Sequence, residues 1–256
     1  MFEYHGFPMV RREAFRRLKE TLSEPHRATL AARFTGSDTT LLKTDFPQID
    51  RMLGGGFPRG VITSLEGTPS SGRMAIAVRL LAKGTERGLA AVIDDGSLFP
   101  PSLASAGVRL ERLLIVTAEE PLRVGRALDI VLRSGAFSVV LMPAVTLKAA
   151  VWTRLASLAH HTNAVLLVLG VQVSNELGYF ASVRIGFHIE RVIWTHEAPL
   201  FSRLLGYDIR ATVQKHKRAI SGTSALIRSL FNQDALPATL RQREIHDVAV
   251  PYRSVL

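Results

Sequence analysis

The chain has 256 residues, 47% of them apolar, which is enough for one large buried core, and it contains no cysteine. That composition excludes disulfides, thiolate metal sites and thiol catalysis. The longest apolar run, Ala164 to Val173, is too short to span a bilayer. A formal net charge of +10 favours polyanionic partners, either nucleic acid or an acidic protein surface. The start, Met1 to Arg12, carries Glu3, His5 and two arginines without an apolar centre, so it does not read as a secretory signal. A soluble cytoplasmic protein with no membrane partner is expected.

Residues 1–40 form the first zone. Phe15, Leu18 and Leu22 recur at helical spacing with Arg12, Arg16 and Lys19 on other faces, which predicts an amphipathic helical segment ending near Gly36-Ser37-Asp38. Residues 41–220 form the core domain, in which strands and helices alternate. Gly60–Glu66 is read as a strand, Ala75–Gly84 as a helix and Leu89–Asp94 as a strand. Leu113–Val116 follows as a strand, Leu122–Ser134 as a helix and Phe137–Met142 as a strand. Thr146–His161 is read as a helix and Ala164–Leu169 as a strand. Such alternation predicts an α/β fold with a mostly parallel sheet covered by helices on both faces. Arg184–Trp194 and Tyr207–Gln214 are read as an antiparallel extension. In the second, Tyr207, Ile209, Ala211 and Val213 alternate with a wet face of Asp208, Arg210, Thr212 and Gln214. Residues 221–256 have weak periodicity, contain Gly222, Pro237 and Pro251, and are read as a basic, extended tail. From Arg203 to the end, nine Lys/Arg face four acids.

The stretch that carries chemistry is Gly67-Thr68-Pro69-Ser70-Ser71-Gly72-Arg73-Met74. Glycines at its first and sixth positions allow backbone N–H groups to turn inward around phosphate, as in a P-loop. The next two positions should be a lysine for the β/γ-phosphates and a Ser or Thr whose hydroxyl ligates magnesium. They are Arg73 and Met74, and a thioether cannot hold a hard cation. Gly67, Ser70, Ser71, Gly72, Arg73 and Met74 therefore mark a degenerate nucleotide site in which binding is weak or lost. Arg73 retains the capacity to meet ATP, phosphate or an acidic side chain without hydrolysis. The glycines also suit a tight strand-to-helix turn with no ligand at all. His160-His161 lacks a third ligand at metal spacing, and Trp152 and Trp194 are read as core residues.

Thr44 to Gly60, with its Leu53-Gly54-Gly55-Gly56-Phe57-Pro58-Arg59-Gly60 run, followed by the Gly67 loop, resembles the RecA recombinase core. Ile93-Asp94-Asp95 resembles that family's strand before its catalytic glutamate, and Tyr179 to Arg184 the segment after its second DNA-binding loop. The resemblance implies a RecA-like P-loop fold, and it places Gly96 where the water-activating glutamate should stand and Pro143 where the metal-site aspartate should stand. Asp94 and Asp95 are read as loop-capping residues, since neighbours on a strand point to opposite faces. Gln172 matches the family's phosphate-sensing glutamine. Only Ala144-Val145 remains of the first DNA-binding loop and Val173–Gly178 of the second. The overall pattern resembles the ImuA family, which implies a pseudo-ATPase, not an enzyme, that acts as an adaptor in SOS-type, damage-induced translesion synthesis. The implied partners are an ImuB-like protein and an error-prone polymerase, with weak non-specific DNA contact, RecA or self-association as further partners. No cofactor or metal is expected. The alternatives are a divergent DNA-dependent ATPase and a SulA-like cell-division inhibitor.

Overall fold

The computed structural model describes residues 41–198 and 201–230. The expected N-terminal amphipathic segment and the end of the basic tail lie outside the described residues. An eight-stranded sheet dominates, with strand order β10-β9-β8-β3-β7-β6-β4-β5. Its strands are β3 (Ile62–Glu66), β4 (Leu89–Asp94), β5 (Leu113–Thr117), β6 (Phe137–Pro143), β7 (Val165–Gly170), β8 (Val183–Ala198), β9 (Phe201–His216) and β10 (Ser224–Leu230). From β8 to β5 every neighbouring pair is parallel, and β9 and β10 add on antiparallel. A two-stranded ribbon of β1 (Leu41–Leu42) and β2 (Phe57–Pro58) precedes the sheet.

Each core element predicted from periodicity is present within a few residues. The strands β4, β6 and β7 are near-continuous apolar runs because both of their faces are covered, and β3 is buried along its length although it carries Thr63, Ser64 and Glu66. On one face, helix α2 (Arg73–Arg87) buries Ile76, Ala77, Leu80, Leu81 and Gly84, residues that recur at helical spacing. They pack against Leu65, Val92, Val139 and Leu167. Each fully buried Leu or Ile there contributes about 1.5–3 kcal/mol. On the other face, α4 (Pro121–Arg133) buries Val124, Leu128, Val131 and Leu132, and α5 (Ala149–Thr162) buries Trp152, Leu155 and Ala159. Helix α5 ends where Asn163 takes a left-handed conformation, φ 56°.

Short helices were invisible to periodicity. They are α1 (Pro47–Met52), α3 (Pro100–Ser105) and α6 (Asn175–Phe180), each six residues and so less than two turns. The Asp50 carboxylate of α1 accepts from the Thr44 amide at 3.1 Å and the Thr44 hydroxyl at 3.0 Å, which folds the segment before the Gly54-Gly55-Gly56 turn back on itself. Asp45 pairs with Arg79 and Lys83 of α2, both at 2.9 Å.

Three expectations need correction. Residues 224–230, read as tail, form β10 and pair with β9 along their whole length, with Ile227 buried. Their alternation is short and became decisive only beside β9. Asp208, placed on a wet face, is 3% exposed because Arg228 of β10 closes over it with two hydrogen bonds of 2.8 and 3.0 Å. The pairing holds the Asp208 carboxyl below its usual range, with the Arg228 hydrogen bond as the main cause. Trp152 is a core residue as expected, whereas Trp194 is 37% exposed.

Candidate functional site: the Gly67 to Met74 loop and its cleft

The loop follows β3 directly and opens into α2, the context a phosphate loop requires. Gly67 has φ 155°, Ser70 φ 64° and Gly72 φ 90°, so the backbone coils through conformations that favour glycine. Gly72 caps α2 without any side-chain hydrogen bond, which leaves the first-turn N–H groups uncapped by protein side chains. A Cβ on Gly67 would stand 2.5 Å from both the Phe187 carbonyl oxygen and Ser71 Oγ. A Cβ on Gly72 would stand 2.4 Å from Ile209 Cδ1. Gly67 is thus required by contact with the β8 backbone, whatever the loop binds, whereas at Gly72 the near atom is the movable end of the Ile209 side chain and the positive φ is what favours glycine.

A cleft of about 650 Å³ lies over the loop, at the carboxyl ends of β3, β4, β6 and β7. This is where open α/β sheets place their ligands. Ser70, Ser71, Gly72, Arg73 and Met74 all line it. Ser71 is 1% exposed and its Oγ has no partner; Arg73 Nη1 is likewise buried without a partner. Desolvation lowers the Arg73 pKa, although a guanidinium so placed stays charged. Met74 is 45% exposed and presents a thioether where a metal-binding hydroxyl would stand.

The carboxylates of the cleft are turned to their own loop. Asp94 Oδ2 accepts from the amides of Gly96 (2.9 Å) and Leu98 (3.1 Å), and Asp95 Oδ1 accepts from the Ser97 amide at 3.1 Å. Ser97 is also the main cause that holds the Asp95 carboxyl low. Both residues cap the loop after β4, as their position on a strand end led us to expect. Gly96 has open space around it and Pro143 ends β6 at the cleft. A magnesium ion would find a thioether and a proline at its two ligand positions, so the residues do not fit that metal. Among the described residues no three His, Cys, Asp or Glu side chains gather in a metal-binding cluster.

Sequence reasoning missed the far wall. Tyr207 and Ile209 of β9 and Ser229 of β10 complete the cleft. Their alternation marked the two β9 residues as buried, but no local signal said against what. Immediately before the loop, Glu66 is 5% exposed and makes a bidentate pair with Arg184 of β8 at 2.8 and 2.9 Å, while Ser64 Oγ donates to it at 2.8 Å. This network joins β3 to β8.

The segments that stand for DNA-binding loops are short. Residues 144–148 alone join β6 to α5. Part of the stretch read as a loop remnant is helical: α6 begins at Asn175, and Ser174 Oγ accepts from the Leu177 amide at 3.2 Å. Gln172 is exposed and does not line the cleft. Of the cations counted from Arg203 onward, Lys215 donates to the carbonyls of Gly178 and Tyr179 at 2.7 and 3.0 Å, and Lys217 and Arg218 lie exposed at the β9–β10 turn. Arg241, Arg243 and Arg253 lie outside the described residues. Among the described residues no helix is long and apolar enough to cross a membrane.

A mostly parallel sheet, a strand-loop-helix phosphate frame and an antiparallel extension define a RecA-like α/β domain. Comparison with solved structures agrees: the chain matches the crystal structure of the RadB recombinase with a TM-score of 0.55 at 18% identity, covering 71% of this chain and 92% of that one. In sequence it is similar to Protein RecA of Chlorobaculum parvum, 34% identical over 107 residues, which is 41% of this chain and 31% of that protein. It is also similar to Protein RecA of Bacillus velezensis, 38% identical over 103 residues, covering 38% of this chain and 29% of that protein. The match thus spans about a third of the length of these relatives. A family model described as the MT3502 N-terminal domain matches residues 51–175.

Proposed function

We propose that this protein is a non-catalytic RecA-like adaptor acting through protein contacts in damage-induced translesion synthesis, beside an ImuB-like protein and an error-prone polymerase. The observation that carries the loss of catalysis is the loop itself. Its backbone frame persists while the positions for the ammonium, the metal ligands and the base hold Arg73, Met74, Pro143 and Gly96. Phosphoryl transfer depends on each of those parts separately. The translesion role rests on the resemblance to the ImuA family in overall pattern. DNA contact, on this reading, is weak, insensitive to sequence and steeply salt-dependent, since it relies on surface cations such as Lys217 and Arg218. Association with RecA or with a second copy belongs to the same reading.

One observation favours a second reading, a divergent DNA-dependent ATPase: the cleft keeps a cation, Arg73, and two carboxylates, Asp94 and Asp95. ATP turnover measured on the full chain with and without single-stranded DNA separates the two. The adaptor reading expects background rates for the natural chain and for Arg73→Lys, which restores the ammonium but neither metal ligand nor base. DNA-stimulated turnover above background overturns it. Loss of damage-induced mutagenesis in a deletion strain, with a polymerase-containing complex recovered on the tagged protein, supports the adaptor role. Filamentous cell division arrest on overexpression would instead point to a SulA-like inhibitor.

A further inference from the structure

The cleft differs from a triphosphate site in charge as well as in ligands, and we propose that it takes a metal-independent ligand bearing one carboxylate on an apolar body. The carboxylate would sit on Arg73 and Ser71. Two polar groups there lack a partner: Ser71 Oγ, within the ring of the loop on a residue 99% buried (1% exposed), and Arg73 Nη1. A buried donor without a partner is costly, and an anion on the loop would satisfy both. The uncapped N-terminus of the fifteen-residue helix α2 faces the same way and favours negative charge.

Charge selects the number of acidic groups. The cleft is lined by one cation, Arg73, and two anions, Asp94 and Asp95, so its net charge is −1. A polyphosphate needs a metal to enter such a site, and the metal-ligand positions hold Met74 and Pro143. A single carboxylate needs only the guanidinium and the loop. No hydrogen bond or ion pair joins Arg73 to Asp94 or Asp95; one oxygen of each carboxylate instead accepts from its own loop, Asp94 Oδ2 from the Gly96 and Leu98 amides and Asp95 Oδ1 from the Ser97 amide. Most of the remaining lining is apolar, with Met74, Leu98, Met142, Pro143, Tyr207 and Ile209 in the walls beside the hydroxyls of Ser70, Ser97 and Ser229. A volume of about 650 Å³ lies within the range of small-ligand pockets. The same chemistry is offered by a free small acid and by the C-terminal carboxylate of a protein chain ending in an apolar residue.

Isothermal titration of the full chain in EDTA tests this, with octanoate for the free acid and N-acetyl-Leu-Leu for a chain terminus. Each is compared with its neutral amide. We expect at least one acid to bind, its amide to bind at least about tenfold more weakly, and added magnesium to change nothing. The acid that binds more tightly identifies the source. Arg73→Met should weaken binding by about tenfold while Arg73→Lys stays within about threefold, with melting temperatures of both variants unchanged. The proposal is overturned if neither acid binds at millimolar concentration, if acid and amide bind alike, if binding requires magnesium, or if Arg73→Met has no effect. The inference shares with the adaptor reading only the loss of the metal site. ATP turnover would sink that reading by its own assay, whereas failure of acid binding would leave the translesion role standing.

Discussion

Replacing Gly67 with alanine places one methyl group where the loop, β3 and β8 converge. The new Cβ would lie 2.5 Å from the Phe187 carbonyl oxygen, which belongs to a backbone hydrogen-bonded into the sheet and cannot rotate away. The backbone conformation, φ 155°, adds strain of its own. Gly96 provides a control, since it also has positive φ, 95°, but nothing within 4 Å of its Cβ position. Gly96→Ala therefore carries backbone strain alone, about 1 kcal/mol after the gain from a stiffer unfolded chain. Gly67→Ala adds an overpacking cost of about 1–3 kcal/mol, for a total of about 2–4 kcal/mol. Urea unfolding followed by far-UV circular dichroism, with no nucleotide present and equal m-values, measures both. A Gly67→Ala variant no less stable than Gly96→Ala would refute the argument that sheet contacts, independent of phosphate, require this glycine. The result also bears on enzymology, because a bulky variant at Gly67 used as a dead-loop control would lose stability before it reported on binding.

Glu66→Ala should cost about 2 kcal/mol, below the usual range for truncating a buried ion pair because Arg184 is 30% exposed and water relieves part of its loss. Urea melts of Glu66→Ala, Arg184→Ala and the double variant should be non-additive, and additive effects would refute the pairing. For Asp208 the folded-state pKa is depressed, so its contribution is fully present above the unfolded value near about 3.9 and is lost as pH falls through the folded value. The stability gap between the natural chain and Asp208→Asn should accordingly be wide at neutral pH and narrow as the pH falls below the unfolded value; a gap constant with pH would refute the ion pair. Ser174→Ala removes the cap of α6 and should cost about 1 kcal/mol in the same melts, with a loss below about 0.3 kcal/mol refuting the cap.

Periodicity and spacing along the chain determined the alternation of strands and helices, the antiparallel extension and the altered loop, because those features are local. Leu80, Leu81 and Gly84 declare a helix face, and Val139-Val140-Leu141-Met142 a strand covered on both sides, with no knowledge of partners. The identities Arg73, Met74, Gly96 and Pro143 likewise stand in the sequence, and neither a proline ring nor a thioether supplies the side-chain oxygen that magnesium needs. Short helices escaped, since six residues hold too few turns to set up a period. Only the tertiary structure decided that Ser224–Leu230 joins the sheet, that Asp208 is buried under Arg228, and that Tyr207 and Ile209 wall the cleft. Each of these depends on residues brought together from distant parts of the chain, as when Ile209 comes to rest against Gly72. Contacts of that kind are set by strand register and sheet order, which no window of the sequence contains.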